Sequence, residues 1–234
     1  LAELGFNQVV LARELTTDEI AKIHSASPAT ALEVFVHGAL CVSLSGRCNA
    51  SEALFGRSAN RGQCAQVCRM AFDLIADGTT VMRDKHLLSL KDNCQIDHLE
   101  ELLMAGASSL KIEGRLKDVD YVKNVTAAYS QALDAVIAKH PKDFCRASTG
   151  HSKLKFEPNV YKSFNRGFVK DTSKPDANLD TPKSIGEPVT SKTTLHNGDG
   201  LCYIEKGKLV GFRVNNANLF RPTKGTRYFR NQDT

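Results

Sequence analysis

No apolar run in the chain approaches the roughly 18 residues that a membrane-crossing helix needs, so the sequence offers no such helix. Its first residues, LAELGFNQVV, lack a Met, a basic stretch and the apolar centre of a secretory leader, and read as a start inside a longer protein. Internal repeats and low-complexity tracts are missing too, which argues against a solenoid or a disordered tail. Neither H-E-x-x-H nor G-x-S-x-G occurs, so two common hydrolase signatures have no counterpart here. Disulfide density is also low. Seven cysteines among 234 residues are too few, and odd in number, for a secreted disulfide scaffold. Reduced thiols in a cytoplasmic protein fit better, and clustered ones point to metal.

What is present suits a protein with a genuine core: 41% of residues are hydrophobic and the length allows one large domain or one plus a small one. The net charge of +5 permits RNA or another polyanion as partner without demanding it. LAELGF reads as a helix end with Gly5 just past it. NQVVLAREL reads as a buried strand. Thr16 and Glu19 form a capping-box pattern before a short helix carrying Ile20 and Ile23, which Pro28 stops. ALEVFVHG reads as a second strand, its nearly continuous apolar character expected where both faces are covered. Residues 39–70 are irregular. AFDLIADGTTVMRD carries the hairpin signal Asp77-Gly78. DHLEELLMAGA is an amphipathic helix ending near Gly106, SSLKIEGR a third buried strand, and DVDYVKNVTAAYSQALDAVIAK the clearest helix, with Val122, Val125, Tyr129, Ala132 and Val136 at helical steps.

This alternation predicts parallel βα units over residues 1–140. Three parallel strands are too few to close a ring, so the α/β class expected is the C-terminal part of a (β/α)8 TIM-like barrel. An exposed edge of such a half-barrel would invite self-association, so a homo-oligomer is expected. Residues 141–185 are polar and rich in Lys and Pro and read as a linker or extended excursion. Residues 186–234, with breaks at Asn197-Gly198 and Lys206-Gly207, read as a small all-β domain.

Four of the cysteines, Cys41, Cys48, Cys64 and Cys68, fall in the irregular stretch, and Cys94 follows. Four thiolates complete a tetrahedral zinc site or hold an iron–sulfur cluster. Six residues separate Cys41 from Cys48, too many for one zinc knuckle, whereas a cluster tolerates scattered ligands. The bland alternative, a small buried hydrophobe, suits Cys202 in GLCYI and Cys145. Arg57, Arg61 and Arg69 share the loop, with no acid between Glu52 and Asp73. They are candidates to bind RNA phosphates or to offset a thiolate-ligated cluster, or else they simply face water.

In SLKIEGRLK, the residues Lys111, Glu113 and Arg115 alternate and, in a strand, share one face. Charges at the C-terminal end of a barrel strand are candidates for catalysis, or for an ion-pair ladder that closes the structure. Glu33, Phe35 and His37 repeat the pattern in EVFVHG. His37 is a candidate proton donor or metal ligand, or a hydrogen-bonding partner of the loop backbone. A thiolate at Cys41 with His37 as base would serve a peptidase.

The stretches EVFVHGALCVSLSGRC, GRSANRGQCAQVCR, LSLKDNCQIDHLEELLMAGASSLKIEGRLK and YVKNVTAAYSQALD resemble peptidase family U32, the collagenase-like peptidases, over about residues 8–139; FNRGF and SIGEPV…HNGDGL resemble the family's C-terminal β module. The resemblance implies either a peptide substrate or hydroxylation of an RNA base in tRNA or rRNA, and GRSANRGQCAQ is most similar to the branch that hydroxylates a cytidine of 23S rRNA. It implies a 4Fe–4S cluster on Cys41, Cys48, Cys64 and Cys94, with Cys68 in reserve and zinc as the alternative metal. The family's N-terminal half-barrel finds no counterpart in these residues, so part of the substrate pocket is expected to be missing.

Overall fold

The computed structural model describes residues 1–150, 152–170 and 174–232. It has a mixed α/β architecture with open sheets and divides into two compact units. The first comprises Leu1–Ala39 and Asn93–Val160, the second Leu40–Asp92 and Tyr161–Thr234.

The first unit is the βα part. A short 3-10 turn over Ala2–Leu4 ends at Gly5, whose φ of 83° is the left-handed conformation glycine favours. Strand β1 (Gln8–Val10) pairs in parallel with β2 (Ala31–Ala39), and only three residues of NQVVLAREL join that ladder. Between them runs helix α1 (Thr17–Ala26), started by the expected capping box: the Thr16 side chain accepts from Glu19 N–H, and the Glu19 carboxylate from Thr16 N–H. Such a cap is worth about 1 kcal/mol. Strand β5 (Asp92–Cys94) also joins β2, and Gln95 N–H donates to Val36 O just beyond it. Helix α3 (Leu99–Met104) buries Leu99, Leu102 and Leu103 and leads into β6 (Ala107–Ile112), parallel to β2. Helix α4 (Val119–Lys139) starts where the Asp118 carboxylate accepts from Tyr121 N–H, and buries Tyr121, Val125, Ala128 and Tyr129.

Burial along β2 alternates: Leu32, Val34 and Val36 are in the core while Glu33 and Phe35 are half-buried. The apolar run therefore does not mean two equally covered faces; one face is core and the other carries charge. Near the strand's end Gly38 has φ 104°, and a Cβ there would lie 2.6 Å from Glu113 O, so β2 passes Glu113 too closely for any side chain.

The second unit opens with the irregular stretch. Helix α2 (Ala50–Phe55) and two 3-10 turns give residues 50–69 more order than their composition suggests. Hairpin strands β3 (Phe72–Ala76) and β4 (Thr79–Lys85) meet at Asp77-Gly78, both with positive φ as a two-residue turn requires. The later part forms an antiparallel sheet in the order β7 (Glu187–Pro188), β10 (Tyr228–Gln232), β8 (Gly200–Glu205), β9 (Lys208–Arg213).

Of the stretch expected to be a linker or extended excursion, residues 161–185 lie within the second unit as an irregular segment in which Ser163, Asn165, Arg166, Val169 and Thr181 are buried. Asp92 N–H donates to Gly167 O, and Val169 N–H to Asp92 O. The stretch looks like a linker because polar contacts rather than apolar periodicity hold it. The division at 140 differs from the observed one, because Leu40–Asp92 groups with the residues after Val160.

Candidate cysteine-rich site and charged strand face

The cysteine-rich loop is organised around Arg69. Its guanidinium donates to Leu40 O (2.8 Å), Ser89 Oγ (3.0 Å) and Leu90 O (2.5 Å), so one side chain ties the start of the excursion to its return. The His86 ring nitrogen Nδ1 lies 2.9 Å from Arg69 O. A second tie comes from Ser51 in α2, whose buried Oγ accepts from Ala65 N–H at 2.9 Å and draws Cys64 back toward the helix. Gln66, held at φ 58°, turns its N–H to Cys64 Sγ at 3.3 Å.

These ties shape the loop that carries Cys41, Cys48, Cys64 and Cys68. Burial raises the Cys68 pKa; Arg69 opposes that rise, while Cys41, Cys64 and Cys48 add to it as like charges. Cys41 and Cys64 are exposed, Cys48 and Cys68 partly so. Among the described residues no three His, Cys, Asp or Glu side chains converge to metal-ligating distance. In donor chemistry the set still suits an iron–sulfur cluster: four thiols on one loop, beside the half-buried guanidinium of Arg69. Cys94 belongs to the first unit, where burial raises its pKa and its sulfur lies 3.8 Å from Tyr129 Oη. Cys202 is buried, its thiol donating to Ile185 O and pushed up to about 11 by burial, as a core cysteine should be.

The three loop arginines have different fates. Arg57 and Arg61 are exposed and available to a polyanion, whereas Arg69 is spent on its clasp. Nothing in the local sequence distinguishes them, because the carbonyls that Arg69 binds lie more than twenty residues away in each direction.

In the first unit the charged strand face is real but composed differently from its sequence pattern. Lys111 Nζ lies 3.1 Å from Glu33 Oε1, and Ser109 and Gln8 donate to the same carboxylate. Lys111 and then Ser109 hold the Glu33 pKa below the usual carboxylate range. Arg13 pairs with Glu113 at 3.4 Å and stacks 3.9 Å above the Phe35 ring. Arg13 carries no periodic signal in the sequence, so the pattern missed it. Arg115 lies beyond the end of β6, in an exposed turn, and the strand alternation does not reach it.

His37 also leaves this face. The register between β2 and β6 shifts between Phe35 and His37, and the extra residue sends His37 to the helix side. There it is 1% exposed, with the rings of Tyr121 and Tyr129 at 6.0 and 5.4 Å. Tyr129 Oη donates to Val36 O at 2.7 Å; its one proton thus committed, it accepts from Gln95 N–H and from His37 Nδ1–H at 3.3 Å. Burial lowers the His37 pKa to about 4, so the ring is neutral near pH 7. No local pattern marks the bulge in advance.

The model of peptidase family U32 matches residues 1–178. The chain is 47% identical over 233 residues to the 23S rRNA 5-hydroxycytidine C2501 synthase of Escherichia coli, covering 92% of this chain and 35% of that protein. It is 36% identical over 178 residues to a tRNA hydroxylation protein P of Helicobacter pylori (71% of this chain, 40% of the relative) and 32% identical over 225 residues to a collagenase of Porphyromonas gingivalis (90% and 52%). The chain thus spans little more than a third to about half the length of these relatives. No solved structure matches it. With a family model covering three quarters of its length, the chain belongs to peptidase family U32.

Proposed function

We propose that this chain is the cluster-holding part of an iron–sulfur hydroxylase acting on a cytidine of large-subunit rRNA in the cytoplasm. The observation that carries the reading is a loop bearing four cysteines and clasped at both ends by Arg69, in a chain 47% identical to an rRNA cytidine hydroxylase. Replacing a pyrimidine C–H by C–OH removes two electrons, so the reaction needs an electron acceptor, and a bound cluster supplies one-electron chemistry. Cys41, Cys48 and Cys64 would hold it, with the fourth position taken by Cys68 or Cys94. The chain's own residues set its surroundings: Arg69 fixes both ends of the loop and offsets thiolate charge, while Arg57 and Arg61 face outward toward RNA phosphates. In this reading the βα unit is the C-terminal part of a TIM-like barrel, with Glu33, Lys111, Arg13 and Glu113 lining its inner face. The sheet β7–β10 is a small β module within the second unit.

The test is genetic. Deleting the complete gene should remove 5-hydroxycytidine from 23S rRNA, measured by mass spectrometry of rRNA digests. The wild-type gene should restore it, and one carrying Cys48→Ser should not. Unchanged hydroxycytidine in the deletion strain would refute the reading.

A further inference from the structure

The chain's positive charge is concentrated at its end. Residues 186–234 carry eight Lys and Arg against four Asp and Glu, which is +4 of the whole chain's +5. Two of those acids are already used internally. Glu187 and Asp199 both pair with Arg230, whose Nη1 also donates to Thr194 O at 3.1 Å. Lys192, Lys206, Lys208, Arg213, Arg221, Lys224 and Arg227 are exposed.

Beside Arg230 lies a recess of about 370 Å³. Lys162, Lys192 and His196 line it together with the hydroxyl residues Thr190, Thr193 and Thr194, and with Glu187, whose carboxylate is held by Arg230. Two of its lining segments are held locally: the buried Asp199 carboxylate accepts from His196 N–H, and Thr190 N–H donates to Thr193 Oγ1. Cationic and hydroxyl donors around a concave surface are the chemistry of a phosphate site.

The same sheet face carries aromatic rings. Register pairs Tyr203 with Tyr228 on one side, and Leu201 with Arg230 and with Phe212 on its two sides, so alternation puts all of these on one face. Tyr203, Phe212, Phe220 and Tyr228 form a cluster with ring centroids 5.3–6.3 Å apart. Phe212 is 36% exposed at its surface. Leu201 at the centre of this face is fully buried and Arg230 nearly so, which leaves Phe212 as its most exposed ring; on the opposite face Cys202 is fully buried against Ile185. Phe212 and Arg230 flank Leu201 on the two strands that neighbour β8, two strand spacings or about 10 Å apart.

We propose that this face of the C-terminal sheet binds single-stranded RNA, with a base stacked on Phe212 and a phosphate in the Lys192–His196 recess. Aromatic platforms beside basic grooves bind single strands without base-edge readout. The sheet would then hold an unpaired segment flanking the modified base, independently of the cysteine-rich loop. This deepens the rRNA reading and rests on it for the identity of the natural strand.

Fluorescence anisotropy of the 234-residue chain with a labelled single-stranded oligoribonucleotide tests the proposal. Phe212→Ala and Phe212→Leu should each weaken binding roughly tenfold, and Phe212→Trp should restore it. Leucine keeps the apolar packing of the sheet but offers no ring for stacking. Lys192→Ala should weaken binding and lower the slope of log K against log salt by about 0.7. Duplex RNA of the same sequence should bind more weakly. Binding that is absent, unchanged by all of these substitutions, or lost in Phe212→Leu only together with folding as seen by thermal unfolding, overturns the platform. None of these results would alter the cellular hydroxycytidine result, so the two readings fail separately.

Discussion

The two units solve the same problem by different means. In the βα unit, apolar periodicity does the work: Leu32, Val34 and Val36 face the core, and helices α3 and α4 bury rows of side chains at helical spacing. The other unit relies on long-range polar clasps between irregular segments. Arg69 binds three groups far away in sequence. Arg166, in FNRGF, pairs with the buried Asp92 at 2.9 Å, takes a backbone bond from its own N–H to the same carboxylate, and donates to Pro182 O. Truncating a fully buried aliphatic side chain costs about 2–5 kcal/mol through lost burial and a cavity. Breaking a clasp costs by a different route, leaving a buried charge without its partner.

The sharpest way to break this contrast is at Asp92. Asp92→Ala leaves Arg166 buried without its counter-charge and should cost about 3–5 kcal/mol in the free energy of unfolding, measured by denaturant titration. Asp92→Asn keeps an acceptor for the Arg166 N–H and should cost less. A loss under about 1 kcal/mol for Asp92→Ala would mean that the irregular unit is held by packing after all.

A smaller effect should appear on the βα side, and only in acid. The His37 pKa falls from about 6.5 in the unfolded chain to about 4 in the fold because burial disfavours the charged ring. Between these values the unfolded state binds the extra proton, so stability is complete above about pH 6.5 and is lost as pH falls toward 4. The total is about 3 kcal/mol at the acid end and nothing at pH 7. The stability of His37→Gln should lack this component of the pH dependence. An unchanged acid limb in that variant would show that His37 stays hydrated or charged beside Tyr121 and Tyr129.

The contrast also explains what the sequence reveals. Helix α4, the capping box at Thr16, the Asp77-Gly78 hairpin and strands β2 and β6 all follow from local pattern, and the structure has them. Helix α2 and strand β5 do not, being too short to show a period. The cysteines stand out by type and spacing, yet the element that organises them, Arg69, looks the same in sequence as Arg57 and Arg61. At the strand face, Lys111 and Glu113 follow from alternation, but a one-residue bulge takes His37 out of it and Arg13 enters from a loop. Long-range polar contacts leave no trace in local periodicity, and that is where sequence reasoning stops.

The central claim is that cysteines of this chain hold an iron–sulfur cluster. The most direct measurement is an iron, zinc and acid-labile sulfide count on the chain purified without oxygen, repeated for Cys41→Ser, Cys48→Ser, Cys64→Ser, Cys68→Ser and Cys94→Ser. Iron and sulfide should be present in equal amounts in the wild type and lost in the first three variants and in one of the last two, which identifies the fourth ligand. Zinc in place of iron, or iron retained in the first three variants, would contradict the claim.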